Sequence, residues 1–341
     1  MKKSLMTLGV LALFVLMAYG QEKKFALYSV AFYNMENLFD TIHDEGKNDY
    51  EYLPNGTNQW NTMKYKAKLK NMSEILSMLS TDKLPMGPAI IGVSEIENYR
   101  VLEDILKQPV LADRGYQYVH YEGADQRGVD CAFFYNPKLF ELTNSKLVPY
   151  VYINDTVHKT RGFLIASGNI AGEKMHFIVN HWPSRAAASP ARERAGEQVR
   201  AIKDSLLRED SAAKIVIMGD MNDDPMDKSM AVALGAKRKP VDAGPTDLYN
   251  PWWDTLKKGY GTLMYKGKWN LFDQIVFTGN LLGTDRSTLK FYKHEIFSRD
   301  FMFQKEGKYK GYPKRTQAGG VWLNGYSDHL PTIIYLIKEV K

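Results

Sequence analysis

The sequence has little of the chemistry that marks several common protein classes. It contains one cysteine, Cys131, in 341 residues, which excludes an intramolecular disulfide and a cysteine-rich zinc module. Lys and Arg outnumber Asp and Glu by only 45 to 39, and a net charge of +6 is too small to identify a nucleic-acid-binding protein by itself. Charged residues make up 25% of the chain, which excludes a fully disordered protein. These absences leave a large folded protein that is slightly basic.

Long apolar runs are also scarce, and the clearest one lies at the N-terminus. Two lysines precede an apolar run at 5–17, and small residues follow at 18–20, which is typical of a secretory signal peptide. The run is shorter than the ~20 residues that a membrane-spanning helix needs. Cleavage after Gly20 would remove two lysines and no acidic residue, lowering the net charge from +6 to +4. We predict a signal peptide at 1–20, a periplasmic or extracellular location, and one mature domain at 21–341 without a stable membrane span. An uncleaved N-terminal anchor is the alternative.

Strand and helix patterns alternate along the rest of the chain. Apolar residues spaced by three and four predict an amphipathic helix at 62–80, and we expect its lysine-rich face, which includes Lys68, to be solvated. A hairpin is predicted around Ala171-Gly172. Further strands are predicted at 25–33, 89–93, 116–121, 130–135, 163–170, 175–179, 215–218, 271–277 and 332–336, and further helices at 99–107 and 191–207. Without repeats or linkers, the pattern favours a single α/β domain.

Polar side chains follow several of these predicted strands. They are Asn34, Glu95, His181, Asp220 and Asn222, and the pair Asp328-His329 stands just before the last strand. One such residue is usually a local turn former, but a sheet that gathers its strand ends at one edge would bring all of them together. The pattern therefore indicates a functional site at a sheet edge.

These side chains suit metal-assisted attack on a phosphoester. Carboxylate and amide oxygens are suitable ligands for Mg²⁺, Mn²⁺ or Ca²⁺. His181 and His329 could transfer protons, and each needs an acidic partner, for which Asp130 and Asp273 are the candidates. The guanidinium groups of two further residues could hold phosphate oxygens in a bidentate way. These two substrate-binding candidates are Arg127 and Arg185.

Six segments in a fixed order make the sequence recognisable. They are NMENLFD at 34–40, SE at 94–95, RGVD at 127–130, NHWPSR at 180–185, GDMND at 219–223 and SDHLP at 327–331. Together they resemble the endonuclease/exonuclease/phosphatase superfamily, which includes the DNase I-like nucleases, the inositol-polyphosphate 5-phosphatases and the bacterial sphingomyelinases. The resemblance implies a four-layered α/β sandwich, in which two mixed β-sheets pack face to face with helices outside. It also implies phosphoester hydrolysis with a divalent cation, usually Mg²⁺.

The resemblance also implies roles for individual residues. Glu95 matches the principal metal ligand, Asp328 a metal-side aspartate, and Glu36 a second acidic ligand that some members lack. Asn34 matches an asparagine beside the metal and the phosphate. The remaining matches concern water and proton transfer. Asp220 and Asn222 match the pair that orients the attacking water, and His329 matches a histidine that an aspartate, here Asp273, buttresses. His181 matches a second histidine, and Asp130 is the candidate for its partner.

The predicted reaction is a single in-line displacement, in which one of the two histidines protonates the leaving group. The substrate is left open between a nucleic acid, a phosphomonoester and a phospholipid. Basic and aromatic residues favour a nucleic acid, whereas the small net charge argues against a duplex binder. A monomer is expected. The insertion at 285–320 is either a substrate loop or an elaborated hairpin.

Two non-enzymatic alternatives fit the sequence less well. A binding module that had lost the reaction should lack one of the site residues, yet every predicted ligand and both histidines are present. A structural Ca²⁺ site with an adhesion role would not explain two histidines at strand ends.

Overall fold

The strands of the molecule form two large sheets and two small hairpins. The computed structural model describes residues 23–152 and 157–340, so the predicted signal peptide at 1–20 lies outside the described residues. In chain order the strands are β1 (Lys24–Leu38), β2 (Ile90–Ile96), β3 (Gln117–His120), β4 (Asp130–Tyr135), β5 (Phe140–Val148), β6 (Phe163–Ile170), β7 (Glu173–His181), β8 (Lys214–Asp220), β9 (Leu248–Tyr249), β10 (Leu263–Tyr265), β11 (Lys268–Asn270), β12 (Asp273–Thr278), β13 (Lys290–Ile296), β14 (Gln317–Ala318), β15 (Val321–Trp322) and β16 (Thr332–Val340).

The α-helices are fewer than the strands. In the described parts of the chain the α-helices are α1 (Thr62–Met78), α2 (Tyr99–Leu106), α3 (Pro109–Ala112), α4 (Ser189–Glu209) and α5 (Trp253–Lys257). Single 3-10 turns lie at Tyr50–Tyr52, Pro240–Asp242, Gly279–Leu281 and Asp300–Met302, and a π turn lies at Ser229–Ala233. Within residues 23–152 and 157–340, none of the helices combines the length and the hydropathy needed to cross a bilayer.

Both large sheets are mixed, and each has one parallel pair at its centre. The first sheet has the order β13-β16-β1-β2-β4-β3 and the second β5-β6-β7-β8-β12-β9. Only β1/β2 and β7/β8 are parallel among these neighbours. Their registers place Asn34 opposite Ser94, and His181 opposite Asp220. Because the carboxyl ends of parallel strands meet at one edge, each sheet gathers its polar strand ends there.

Three apolar layers hold the four structural layers together. Between the sheets, Phe133, Phe177, Met218 and Ile334 belong to one buried cluster with side chains from both sheets. On the outer face of the first sheet, α1 and α2 contribute to a second cluster, and on the outer face of the second sheet α4 contributes to a third. The predicted four-layered α/β sandwich is therefore confirmed.

Helix α1 begins and packs as its sequence pattern predicts, except at one lysine. The side chain of Asn61 accepts a hydrogen bond from the Lys64 amide and caps the helix, and Tyr65 and Met72 lie on its buried face. The expectation that Lys68 is solvated is wrong, because its side chain is 0% exposed. It lies three residues after Tyr65 and four before Met72, so helical geometry places it on the buried face.

Other local predictions agree with the structure to different extents. The hairpin of β6 and β7 turns at Ala171 and Gly172, both at positive φ, as a tight two-residue connection requires. Strand β5 was not predicted. The insertion at 285–320 begins with strand β13, which forms an edge of the first sheet, and then continues as a long irregular segment toward β14.

Candidate active site

A buried amide joins the two sheets at the edge where their parallel strands end. The Nδ2 of Asn34 donates to Oε1 of Glu95 at 3.1 Å and to Oδ2 of Asp220 at 3.0 Å, while its Oδ1 accepts from the Glu36 amide. The Asn37 amide donates to the other Glu95 oxygen at 2.8 Å. Asn34 is fully buried, and in this structure its side chain positions two carboxylates. Its role in substrate binding, beside the metal and the phosphate, stays a prediction.

The backbone leaves ordinary strand geometry where these side chains project. Glu36, Asn37, Glu95 and Asn222 all have positive φ, between 45° and 60°. Residues other than glycine avoid this region because of steric repulsion, and such residues cluster at functional sites. At Asn222 the turn lets its own amide donate to Oδ1 of Asp220 at 2.9 Å. The strand ends are thus shaped to turn their side chains toward one point.

His329 is held by Asp273, as the sequence predicted. Its Nδ1 lies 2.7 Å from Oδ2 of Asp273, and its Nε2 lies 3.8 Å from Oδ2 of Asp220. Strand pairing explains the proximity, because Asp273 on β12 lies directly opposite Asp220 on β8. Burial lowers the pKa of His329, but the charges of Asp273 and Asp220 outweigh burial and raise this pKa well above its usual value. A positively charged imidazole results.

His181 approaches the same carboxylate but has the opposite charge preference. Its Nε2 lies 3.7 Å from Oε1 of Glu95 and 3.7 Å from Oδ2 of Asp220. Burial and the positive charges of Arg161 and Arg127 lower its pKa well below the usual value, so the imidazole is neutral. None of the described residues forms a hydrogen bond with its Nδ1.

The predicted pairing of His181 with Asp130 is wrong. The Asp130 carboxylate lies 3.3 Å from Nε2 of His120 and accepts from the Gly123 amide at 3.0 Å. Asp130 begins β4, next to β3, and cross-strand pairing brings it to His120 rather than across to the second sheet. Membership of the RGVD segment does not reveal that His120 is the neighbour of Asp130.

Glu36 is surrounded by protein donors. Its Oε1 accepts from Nε of Arg315 at 3.0 Å, its Oε2 accepts from the Thr316 amide at 2.6 Å, and Nζ of Lys68 lies 3.8 Å away. Nη2 of Arg315 also donates to Oδ2 of Asp328 at 2.7 Å. This geometry favours a structural ion-pair network for Glu36 rather than metal binding. Arg315 comes from the 285–320 insertion, so this segment reaches the site.

One of the two arginines predicted to bind substrate lies in the pocket and the other does not. Arg127 lines the central pocket, and so does Arg161, which was not among the predicted site residues. Asp125 holds Arg161 at 2.9 Å and lies 3.5 Å from Nε of Arg127. Arg185 is absent from the lining of this pocket and is 42% exposed. Its guanidinium contacts three aspartates: Asp223 at 3.4 Å, Asp224 at 3.3 Å and Asp227 at 2.9 Å.

The polar side chains enclose a pocket of about 470 Å³ at the shared edge of the sheets. Its lining residues are Glu95, Arg127, Arg161, His181, Ser184, Asp220, Asn222, Leu263, Asp328 and His329. Carboxylates, imidazoles and guanidinium groups thus meet in one concave site, which suits hydrolysis of an anionic substrate.

A family model described as the endonuclease/exonuclease/phosphatase family matches residues 29–338. The chain belongs to this family. The predicted family and enzyme class, a divalent-metal-dependent phosphoric ester hydrolase, are therefore confirmed. No curated protein matches the chain in sequence.

Solved structures of this family share the fold over nearly all of their length. A family member from Bacteroides thetaiotaomicron is 15% identical, with 93% of this chain and 97% of that chain covered and a TM-score of 0.57. A mannosyl-6-phosphatase from the same organism is 15% identical, with 91% and 99% covered and a TM-score of 0.56. The D. rerio protein TDP2, complexed with single-strand DNA product, is 14% identical, with 91% and 99% covered and a TM-score of 0.54. At these identities the likeness shows the fold alone.

The donor set of this family member fits a divalent cation. One ligand atom from each of Glu95, His181 and Asp220 lies within 4.8 Å of the others. Among the described residues, no lysine or arginine nitrogen lies within 4.0 Å of a carboxylate oxygen of Glu95 or Asp220. Burial raises the pKa of Asp220 to about 7, although the charge of His329 lowers it. Glu95, which has no lysine or arginine beside it, and Asp220, whose only cationic neighbour within 4.0 Å among the described residues is the His329 imidazole at 3.8 Å, therefore offer the carboxylate oxygens that a hard cation prefers.

Proposed function

We propose that this chain hydrolyses phosphodiester bonds by a single in-line attack of water. The observation that carries the proposal is the convergence of His181 and His329 on one oxygen of Asp220, beside Glu95. Two imidazoles and two carboxylates around one point supply the acid, the base and the anion-binding groups that the reaction needs.

A divalent cation bound by Glu95 and Asp220, with Mg²⁺ as the first candidate and Mn²⁺ or Ca²⁺ as alternatives, would neutralise charge on the phosphoryl oxygens. Asp220, held by Asn34 and the Asn222 amide, orients the water and accepts its proton. As the new bond between the water oxygen and phosphorus forms, the ester bond breaks on the opposite side. His329, charged and held by Asp273, donates its proton to the leaving oxygen.

The other pocket residues bind and orient the substrate. Neutral His181 donates a hydrogen bond to a non-bridging phosphate oxygen. Arg127 and Arg161 add positive charge on the same wall of the pocket, where Asp125 holds their guanidinium groups. Arg315 neutralises Asp328 at the rim, which reduces repulsion of an incoming phosphate.

A nucleic acid is the leading phosphodiester substrate. The similar D. rerio protein carries a single-strand DNA product, and two cationic residues of the 285–320 insertion, Lys308 and Arg315, line a cavity that adjoins the pocket. A phosphomonoester is the second candidate, because a similar structure is a mannosyl-6-phosphatase. A phospholipid diester is the third. Retention of all the site residues argues against a non-catalytic binding module.

The test is a panel of phosphoesters assayed with Mg²⁺, Mn²⁺, Ca²⁺ and a chelator. Plasmid DNA, RNA, bis- and mono-p-nitrophenyl phosphate and sphingomyelin distinguish the three candidates. We expect diester hydrolysis that the chelator abolishes and added metal restores. Hydrolysis of monoesters only would overturn the diester proposal, and the absence of hydrolysis of every ester with every metal would overturn the enzymatic one.

We also propose that the chain is exported and acts as a monomer. The support for export is the n-region and apolar run at 1–20. N-terminal sequencing of protein recovered outside the cytoplasm should give a chain that begins at Gln21. Light scattering on the mature protein should give the mass of one chain, and a dimer mass would contradict the monomer proposal.

A further inference from the structure

A second cleft, of about 850 Å³, opens beside the catalytic pocket. Leu263 and Asp328 line both cavities, so a group attached to a phosphate in the pocket can extend into the cleft. One wall is β10 together with Lys266 in the turn that follows it, and the other comes from residues between 304 and 323, most of them in the insertion. The volume lies within the range of ligand-binding clefts, roughly 300–1,000 Å³.

Three tyrosines give this cleft its aromatic character. The Tyr312 hydroxyl accepts a hydrogen bond from the Gly267 amide at 2.6 Å, which joins the two walls and fixes the Tyr312 ring. The Tyr309 ring packs against it with centroids 5.4 Å apart and an interplanar angle of 70°. Tyr309 and Tyr265 are 50% and 62% exposed. The cleft therefore presents open aromatic surface on both walls, close to one fixed ring.

Cations accompany these rings. The Nζ of Lys266 lies 5.3 Å from the centroid of the Tyr265 ring, and the Nζ of Lys308 lies 5.5 Å from that of Tyr309. Arg315 lies where the cleft meets the pocket, bonded to Asp328. Positive charge beside aromatic faces suits a ligand that combines flat apolar rings with anionic groups.

We infer that this cleft binds the nucleobase of a nucleotide phosphoester whose phosphate lies in the catalytic pocket. The inference rests on the proposed function and specifies its substrate class. A base can stack on exposed tyrosine faces, and the neighbouring lysines can neutralise the phosphates of the same nucleotide substrate. A lipid chain would use the apolar walls but not the paired cations and rings.

The test compares esters that share one leaving group. The kcat/KM values of thymidine 5′- and 3′-(p-nitrophenyl phosphate) are divided by that of methyl p-nitrophenyl phosphate, which has the same charge and no base. We expect the full-length mature protein to favour a thymidine ester by about tenfold or more, since stacking on an aromatic side chain typically gives that much. Tyr309→Ala and Tyr265→Ala should each lower this ratio, mainly through KM. Tyr292→Ala, which removes an equally exposed tyrosine (54%) on β13 outside the cleft, should not.

Binding of thymidine 5′-monophosphate, followed by calorimetry, provides a readout that needs no turnover. The two cleft variants should weaken this binding about tenfold, and Tyr292→Ala should leave it unchanged. Equal kcat/KM for all three esters, or ratios and binding that neither cleft variant changes, would overturn the inference while the proposed hydrolysis stands. If no ester is hydrolysed the proposed function fails, and the binding measurement then decides the inference alone. If the two cleft variants lost only binding to phosphatidylcholine vesicles and kept their binding of thymidine 5′-monophosphate, the cleft would be assigned to lipid. That result would also overturn the inference.

Discussion

Glu36 and Glu95 lie at the ends of two neighbouring parallel strands, β1 and β2, and both have positive φ. Their surroundings differ. Glu36 is bonded to Arg315 and the Thr316 amide, with Lys68 at 3.8 Å, so its charge is balanced by the protein itself. Glu95 contacts an amide group, a backbone N–H and neutral His181, which leave its charge unbalanced. The comparison shows that one sheet edge can hold both a carboxylate in a structural ion pair, Glu36, and a carboxylate suited to binding a metal ion, Glu95.

Burial acts strongly on the Glu36 region. Burial raises the pKa of Glu36 to about 7, even though Lys68 and Arg315 lower it, and burial lowers the pKa of Lys68 to about 8. Two buried charges of opposite sign therefore depend on each other to remain ionised. Changes in this region should affect stability, whereas changes around Glu95 should affect catalysis.

The largest expected effect is that of Glu95→Gln, and it is compared with the same substitution made separately at Glu36. Glu95→Gln should lower kcat/KM by about three decades, because a bound cation contributes several kcal/mol to transition-state stabilisation. It should also raise the Mg²⁺ concentration for half-maximal activity. Glu36→Gln should leave that concentration unchanged, measured where circular dichroism shows both variants folded. The opposite result would make Glu36 the metal ligand and end the distinction between the two regions.

His329→Gln tests whether the reacting groups belong to the Glu95 region. Its kcat should fall by about 10²–10⁴-fold, because a positioned proton donor contributes that much. Asp273→Asn should give a smaller loss in the same parameter, since it removes the partner that holds the imidazole at 2.7 Å. Steady-state kinetics on bis-p-nitrophenyl phosphate measure both. A near-normal kcat in His329→Gln would show that His181 or water supplies the proton.

Lys68→Met should reduce stability more than it reduces turnover. It removes one of two cations beside buried Glu36, and we expect a loss of about 3 kcal/mol, the lower end for a broken buried pair, because Arg315 still bonds to Glu36. Urea unfolding measures the loss. The double variant Lys68→Met/Glu36→Gln should recover part of it, and an unchanged midpoint in the single variant would contradict the structural role.

The same variant has a predictable pH dependence. The pKa of Glu36 is raised on folding, so the folded protein binds more protons than the unfolded chain between the ordinary glutamate pKa of 4.5 and about 7. Stability then falls as pH rises through this window, and losing Lys68 raises the pKa further. The deficit of Lys68→Met should therefore be larger at pH 8 than at pH 5.5. A deficit that is the same at both values would show that Glu36 is not the group responsible.

The smallest expected effect is that of Arg185→Gln. The Arg185 guanidinium is paired with aspartates outside the pocket, and exposed pairs of this kind contribute about 0–1 kcal/mol. Its kcat/KM should fall less than about fivefold, whereas Arg127→Gln, inside the pocket, should raise KM by about tenfold. A loss of about 10²-fold in kcat/KM for Arg185→Gln would instead show that Arg185 contacts the substrate phosphate.

Prediction from sequence succeeded where a short-range pattern determines the outcome. Spacing in α1 predicted a helix with Tyr65 and Met72 buried, and short runs of apolar, aromatic and branched residues predicted the central strands of both sheets. The pairing of His329 with Asp273 followed from the family motifs. The helical spacing of Lys68 from Tyr65 and Met72 places it on the buried face. It was nevertheless expected to be solvated, because lysine carries a charge.

Partners that lie far apart in the chain were not predictable in the same way. Asp130 pairs with His120 because β3 and β4 are adjacent, and no motif states that adjacency. Arg315 reaches Glu36 from 279 residues away, through a segment without a recognisable motif. Asn34 was expected beside the metal and the phosphate, but its motif does not state that the approach of the two sheets buries its amide between Glu95 and Asp220.

The sequence by itself determined that strands and helices alternate and that carboxylates and imidazoles stand at strand ends, because hydrophobic periodicity is a local property that survives without knowledge of packing. The order of the motifs supplied the resemblance to a phosphoesterase family, and that resemblance implied two sheets with helices outside. Only the tertiary structure decided which carboxylates have protein cations beside them and which do not. That decision depends on the distance between side chains from different layers, since a charge of opposite sign within about 4 Å separates a buried ion pair from a site suited to a metal ion. The small net charge of the composition therefore said less about function than the placement of two cations, Lys68 and Arg315.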